Sequence, residues 1–423
     1  MAAEQRRSAA SGECPPPPVP SRRLRHLAGN LLLALAASVA TYAALEIMLR
    51  VAAHRILPGG ESFSTASIFR PEDDPVGYAL EPGTSRILCA GGAYTVRDRI
   101  NSLGLRDVER RYENPSGIGR ILLLGDSFTF GQGVPMESCF ARRMDRDLRG
   151  VEVINSGVPG YGLDQEYLLY KDRARRFGAD LVLLVFFVND LDFPASMDLV
   201  RDESGLPVRF RHRSEVVARR EARAPRGLRG AISSCLKAHS VLYSLVRDRL
   251  DTLRYRLEHS DAIPGAQGRR PDYLTVFLTA PDGEAKEKWE RGFRTLDALR
   301  ALVERNGSHL AIASIPASWQ LSEERFDGWA GYFGVDPRTI SRTKPDEMLA
   351  GWCRRTGTPF LPLLDAFDGR GSAGLYFPYD LHLSSRGHEI AAEAIEAFLR
   401  ARHLVPGDRA GTGERTQPAG TPR

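Results

Sequence analysis

Between residues 120 and 190 the chain repeats one pattern: a short aliphatic run, then a glycine or a small polar set, then a stretch with helical periodicity. Ile121–Leu124 runs straight into Gly125-Asp126-Ser127. Val151–Ile154 ends in Asn155–Gly160, and Asp180–Val188, apolar after its first residue, ends in Asn189-Asp190. Runs this short and this uniformly apolar predict strands buried on both faces, as in a parallel sheet. The stretches Met136–Leu148 and Leu163–Arg176 read as helices. This alternation predicts βαβ units and an α/β fold, with the Ile121 run as the central strand of the sheet. After residue 285 the pattern resumes. It gives a helix over Glu284–Asn306 with Trp289 and Phe293 on its core face, a strand over His309–Ile315, a helix over Pro345–Thr356, a last strand over Phe360–Leu364 and a helix over Ser385–Ala401. No internal repeat is apparent.

Elsewhere the pattern differs. Residues 1–21 hold Pro15–Pro18 and few large apolar residues, and read as a disordered tail, as do residues 404–423. Leu27–Leu45 is 19 residues without a charge. As a helix it reaches about 28 Å, near the thickness of a bilayer's hydrocarbon core. The apolar character continues through Ile47–Val51, which favours an uncleaved signal-anchor helix over 22–50. Ser38-Val39-Ala40 keeps open the second reading, a secretory signal cleaved there. Residues 51–119 form a β-rich connector, in which Ile87–Val96 and the region Asn101–Arg106 are expected to form a small hairpin leading into the core domain, and carry no evident chemistry. Residues 191–285 interrupt the α/β domain of 120–403. They read as an insertion with a helix over Ser233–His259 and a glycine- and proline-containing loop at 263–270.

Charge refines this picture. The net charge is +5, and the excess is local: arginines precede the apolar helix, and eight more lie between Arg209 and Arg229. The positive-inside rule puts the N-terminus in the cytoplasm and the rest of the chain beyond the membrane. No aromatic-interleaved basic motif accompanies the arginine cluster, so a nucleic-acid partner is not expected; a solvated or membrane-facing surface is. The five cysteines are scattered and odd in number, which predicts neither a disulfide framework nor a metal knuckle.

The polar sets at the strand ends bring in chemistry. In a doubly wound sheet they converge on one edge. A serine nucleophile needs a base, the base needs a carboxylate to fix its tautomer, and the developing oxyanion needs fixed N–H donors. Ser127 can be the nucleophile, His382 the base and Asp380 the orienting carboxylate. The backbone N–H groups of Ser127 and Gly160 and the Asn189 amide can form the oxyanion hole. Competing readings are plain structure: Ser127 as a helix cap, Asn189 as a turn closer, His382 as a loop histidine. Asp126 is expected to brace its loop and His388 to pack near the site.

Four blocks in this order resemble the SGNH hydrolases of the GDSL lipase/esterase superfamily: Gly125-Asp126-Ser127, Asn155 to Gly160, Asn189-Asp190, and Asp380 with His382. The resemblance covers 120–190 and 285–399. It implies a three-layer α/β/α, flavodoxin-like fold and an acyl-serine mechanism needing no metal or organic cofactor. Phe128 departs from the leucine of the family's first block. Phe187 replaces a glycine often found two residues before the third-block asparagine. Asp380 and His382 are separated by one residue instead of two. On an extended backbone residues two apart stand roughly 6–7 Å from each other, so their pairing requires a local turn. That spacing is found in membrane-anchored, glycan-modifying relatives. The implied function is an esterase or O-acyltransferase removing or transferring acetyl groups on cell-envelope or exported glycans. The alternatives are a lipid esterase or lysophospholipase, and a catalytically silent glycan-binding module. The implied partners are an acylated glycan or lipid substrate and a membrane, through the N-terminal helix.

Overall fold

The computed structural model describes residues 22–56, 68–71, 75–90, 94–192, 194, 197–212, scattered positions between 232 and 253, and then 272–368, 374–377, 380 and 382–407. The chain divides into two units, Met1–Glu61 and Ser62–Arg423. In the first, α1 (Arg22–Ile56) is one continuous helix. Its 23-residue segment Gly29–Val51 is the one helix among the described residues long and apolar enough to cross a membrane. Leu31, Leu32, Leu33 and Leu35 are exposed in the structure.

The second unit opens with two small antiparallel pairs: β1 (Phe69–Pro71) with β2 (Tyr78–Leu80), and β3 (Ser85–Ala90) with β4 (Tyr94–Arg99). The core follows as β5 (Gly119–Gly125), α2 (Ser127–Phe130), α3 (Phe140–Asp147), β6 (Val151–Asn155), α4 (Leu163–Asp172) and β7 (Leu181–Phe186). A hairpin of β8 (Met197–Arg201) and β9 (Pro207–His212) lies in the insertion. Then come α5 (Gly283–Arg305), β10 (His309–Ser314), α6 (Glu323–Tyr332), α7 (Lys344–Thr356), β11 (Phe360–Pro362), α8 (Leu364–Phe367) and α9 (Ser385–Ala401). The helix expected over 233–259 and the loop at 263–270 fall largely or wholly outside the described residues.

Five parallel strands form one sheet in the order β11-β10-β7-β5-β6. In chain order this is 2-1-3-4-5, the flavodoxin-like winding. The helices form two layers: α3 packs with α9, while α4, α5 and α7 serve the opposite face. One expectation is corrected here. The central strand is β7, and the Ile121 run lies one place from the β6 edge. Every β7 residue is buried, and Ile121–Leu124 are fully buried, because helices cover both faces of either strand. Two other expectations shift in detail. The helix expected from Met136 begins as a short 3₁₀ turn and restarts at Phe140. The helix from Leu163 gives way at Arg173 to a 3₁₀ turn over Ala174–Phe177. Trp289 is buried and its ring stacks with Phe293 at 5.5 Å. Val405, inside the expected C-terminal tail, is buried against the core.

Candidate active site

The strand order reverses between β5 and β7, and in open α/β sheets ligands bind beyond the carboxyl ends of the strands at that switch point. Ser127 follows β5 and Asn189 follows β7 there; Gly160 lies past β6. Ser127 opens the single-turn helix α2, but it is not the cap. Asp126 caps it, accepting from the Phe128 amide at 2.8 Å. The other Asp126 oxygen accepts from the Asn189 side-chain amide at 3.2 Å and the Ser127 hydroxyl at 3.3 Å. Asp126 therefore braces the loop, as expected. Its carboxyl is fully enclosed, and burial raises its proton affinity against the hydrogen bonds and the His382 charge that lower it.

His382 arrives from the C-terminal side. Tyr376 and Leu383 form an antiparallel bridge, the Phe377 amide donates to the His382 carbonyl at 3.1 Å, and the Asp380 amide reaches the Phe377 carbonyl at 3.4 Å. This turn defeats the separation an extended segment would impose. The Asp380 Oδ1 accepts from the His382 amide at 2.9 Å and also pairs with His382 Nδ1. His382 Nε2 stands 2.8 Å from the Ser127 hydroxyl. Burial raises the proton affinity of Asp380, but the His382 hydrogen bond and charge outweigh it and hold the carboxyl below its ordinary value. Ser127, His382 and Asp380 thus form one hydrogen-bonded row.

Gly160 has φ +79°, a conformation that favours glycine, and a side chain there would meet the Tyr78 hydroxyl at 3.0 Å. The Tyr78 hydroxyl donates to the neighbouring Pro159 carbonyl at 2.9 Å. His388 lies buried in α9, its Nδ1 accepting from the Phe140 amide at 3.3 Å. Burial pushes its pKa down to about 3, so it packs as a neutral ring. Beneath the site Glu166 and Asp190 are buried; Asp190 accepts from the Phe187 amide at 2.8 Å, and neither Glu166 oxygen has a partner among the described residues. Burial, reinforced by neighbouring carboxylates, raises both well above the usual range.

Three residues at the site were not singled out from the sequence. The Tyr94 hydroxyl donates to Asp380 Oδ2 at 3.1 Å. Gln132 Nε2 lies 3.4 Å from that hydroxyl and 3.5 Å from His382 Nδ1. Arg106 donates to the carbonyls of Phe130 at 3.0 Å, Gly131 at 3.2 Å and Val134 at 2.6 Å. The connector hairpin expected to be without chemistry therefore reaches the site. Gln132 stands five residues past Ser127, and that proximity in sequence is the one signal by which it was open to being found. Among the described residues no cluster of His, Cys, Asp or Glu is arranged to hold a metal ion.

No curated protein matches the chain. Solved structures resemble it at low identity. LAE5, an alpha/beta hydrolase enzyme from the metagenome of Lake Arreo, Spain, is 13% identical, with 70% of this chain and 99% of that one covered and a TM-score of 0.37. A catalytic mutant of Axe2, an acetylxylan esterase from Geobacillus stearothermophilus, is 13% identical, with 67% and 94% covered and a TM-score of 0.35. A putative lipolytic protein of the G-D-S-L family from Desulfitobacterium hafniense DCB-2 is 12% identical, with 66% and 99% covered and a TM-score of 0.34. The sequence pattern of one family matches residues 123–337, half of the chain, from the strand before Ser127 to a point short of Asp380 and His382. With that match, the chain belongs to the GDSL-like lipase/acylhydrolase family.

Proposed function

We propose that the protein is a serine esterase or O-acyltransferase working through an acyl-Ser127 intermediate. The observation that carries the reading is the row Asp380–His382–Ser127, with His382 Nε2 at 2.8 Å from the hydroxyl. In the first half-reaction His382 takes the Ser127 proton as the oxygen attacks the ester carbonyl. The carbonyl oxygen becomes an oxyanion, received by the Ser127 and Gly160 amides and one N–H of the Asn189 side chain. His382 then gives its proton to the departing alkoxide. In the second half-reaction the same imidazole takes a proton from water or a sugar hydroxyl as its oxygen attacks the acyl carbonyl; the acyl–Oγ bond then breaks, and the imidazolium returns the proton to the Ser127 oxygen as the acid or new ester leaves. Asp380 holds Nδ1 protonated so that Nε2 is the free base. None of these steps calls for a metal or organic cofactor.

The substrate class in this reading is an acetylated cell-envelope or exported glycan. Two features support it. The apolar segment Gly29–Val51 suits a membrane anchor, and the arginines before it orient the catalytic unit away from the cytoplasm. Partly exposed aromatic rings stand on both sides of the nucleophile: Tyr78 beside Gly160, and Tyr94 with Phe377 beside Asp380. Ser127→Ala should lower turnover of p-nitrophenyl acetate at least 10³-fold, on the order of what losing a triad member costs. Full activity in that variant would overturn the nucleophile assignment. Preference for long acyl chains over acetyl would favour the lipid esterase. A folded protein that a fluorophosphonate fails to label would be a silent binding module.

A further inference from the structure

The Asp380–His382 pair comes from a short loop, and the carboxylate that orients the base is tied to it at only one oxygen by that loop. Rotation about the last bond of an aspartate side chain is soft and roughly two-fold. An oriented carboxylate therefore needs a second donor at its other oxygen. We propose that Tyr94, supplied by a hairpin N-terminal to the residues that match the family, is a positioning residue that fixes Asp380 and through it the basicity of His382. The proposal rests on the esterase reading above.

The Tyr94 hydroxyl donates to Asp380 Oδ2 at 3.1 Å, across 286 positions of sequence. Oδ1 meanwhile takes the His382 amide and Nδ1. Tyr94 is itself held in place. It pairs with Ala90 at the end of the β3–β4 ladder. Its ring lies 4.7 Å from that of Phe377, and it packs so closely on Gly133 that a side chain there would sit 2.7 Å from the ring. Gln132 Nε2 approaches its oxygen at 3.4 Å, and the Gln132 amide donates to the Ser127 carbonyl at 3.0 Å. The contacts close a ring from Ser127 through Gln132, Tyr94, Asp380 and His382 back to Ser127. Burial and the Asp380 charge keep the phenol protonated, so it acts as the donor.

The chemistry fixes the sign. A donor on Oδ2 stabilises the charged carboxylate and draws off part of its negative charge. Without it Asp380 is more basic, favours the imidazolium more strongly, and turns more freely. In Tyr94→Phe the acid limb of kcat/KM should move up by about 0.3–0.5 pH units. The kcat should fall about three- to tenfold with KM within about twofold, as when an interaction acts on the transition state alone.

The test uses the full chain in detergent with p-nitrophenyl acetate. Tyr94→Phe is compared with wild type, and again in an Asp380→Asn background. The expected result is the shifted profile and reduced kcat in the first comparison, and no further loss in the second, because the hydroxyl acts through Asp380. An unmoved profile overturns the proposal, as does an equal loss with Asp380→Asn present. The pH at half-activity is independent of how much variant folds, so it reads even at poor yield. If Ser127→Ala retains turnover, the esterase reading itself fails, and that outcome is separate from either Tyr94 result.

Discussion

Arg106 ties the connector to the loop after Ser127, and removing its charge should be costly. Its side chain is 1% exposed and its Nε lies 2.8 Å from an Asp98 carboxylate that is fully buried. Its two terminal nitrogens serve three carbonyls on residues 130–134. Arg106→Met keeps the aliphatic stem but leaves Asp98 with Arg86 as its remaining ion-pair partner at 3.0 Å. Breaking a buried pair from one side costs about 3–5 kcal/mol. Each carbonyl stripped of its donor adds roughly 1–3 kcal/mol unless water replaces it. Arg86 and entering water offset part of this, which leaves about 4 kcal/mol, a large share of a typical stability of about 5–15 kcal/mol. Urea unfolding at neutral pH, followed by tryptophan fluorescence, measures it as a shift in midpoint multiplied by the slope. All four tryptophans lie in the second unit, at positions 289, 319, 329 and 352. A loss below about 1 kcal/mol would refute the argument that this pair is desolvated and indispensable. The double variant Asp98→Asn with Arg106→Met should lose less than Arg106→Met alone, because the fully buried carboxylate charge is then gone and the Arg86 side chain that loses its partner is 14% exposed.

Two further outcomes follow from close approach and from burial. A side chain at Gly157 would stand 2.4 Å from the Phe130 amide nitrogen and 2.7 Å from the Thr129 carbonyl carbon. Backbone cannot step aside as a flexible side chain can, so Gly157→Ala should cost about 3 kcal/mol and reduce fluorophosphonate labelling of Ser127 by displacing α2; wild-type melting and labelling would contradict this. Burial, reinforced by the Asp126 and Asp164 charges, raises the proton affinity of Glu166 well above that of an ordinary glutamate. The unfolded chain releases that proton near pH 4.5 and the native chain only at higher pH, so stability falls as pH rises, by up to about 1.4 kcal/mol per unit. Glu166→Gln removes the penalty: it should melt with wild type near pH 4 and above it at pH 8, and a lower melting temperature at pH 8 would sink the idea.

How much of this was legible in the sequence depends on what each residue answers to. The strands β5, β6, β7 and β10 announce themselves because burial on two faces demands uninterrupted aliphatic side chains. The same cause hides their order. β5 and β7 are covered alike, so nothing in Ile121–Leu124 ranks it behind Leu181–Phe186 for the centre. The pairing of Asp380 with His382 was legible as residue types but not as geometry. The turn that joins them is made by backbone hydrogen bonds from Phe377 and Asp380, which leave no mark on side-chain pattern. Tyr94 could not be read at all. Its partner is 286 residues away, and on a short strand an aromatic residue satisfies ordinary β propensity.

The contacts also explain why the site spans more chain than the family pattern does. The matched residues, 123–337, include the proposed nucleophile and the proposed oxyanion donors. They include neither the proposed base His382 nor its proposed carboxylate Asp380, which enter on the loop before α9. They hold the loop after Ser127 in part, through Asp126 at its start and the Asn155 amide on the Thr129 carbonyl. Arg106 secures its carbonyls, and Tyr94 packs on Gly133 and meets Gln132. Catalysis by preorganised dipoles requires groups held within about 0.5 Å of their working positions. A surface loop on its own is among the most mobile parts of a fold. In this protein the flanks add to that rigidity, through Tyr94 and Arg106 on one side and His382 and His388 on the other. Variation in either flank would then alter the chemistry at Ser127 while leaving every residue of the matched region unchanged.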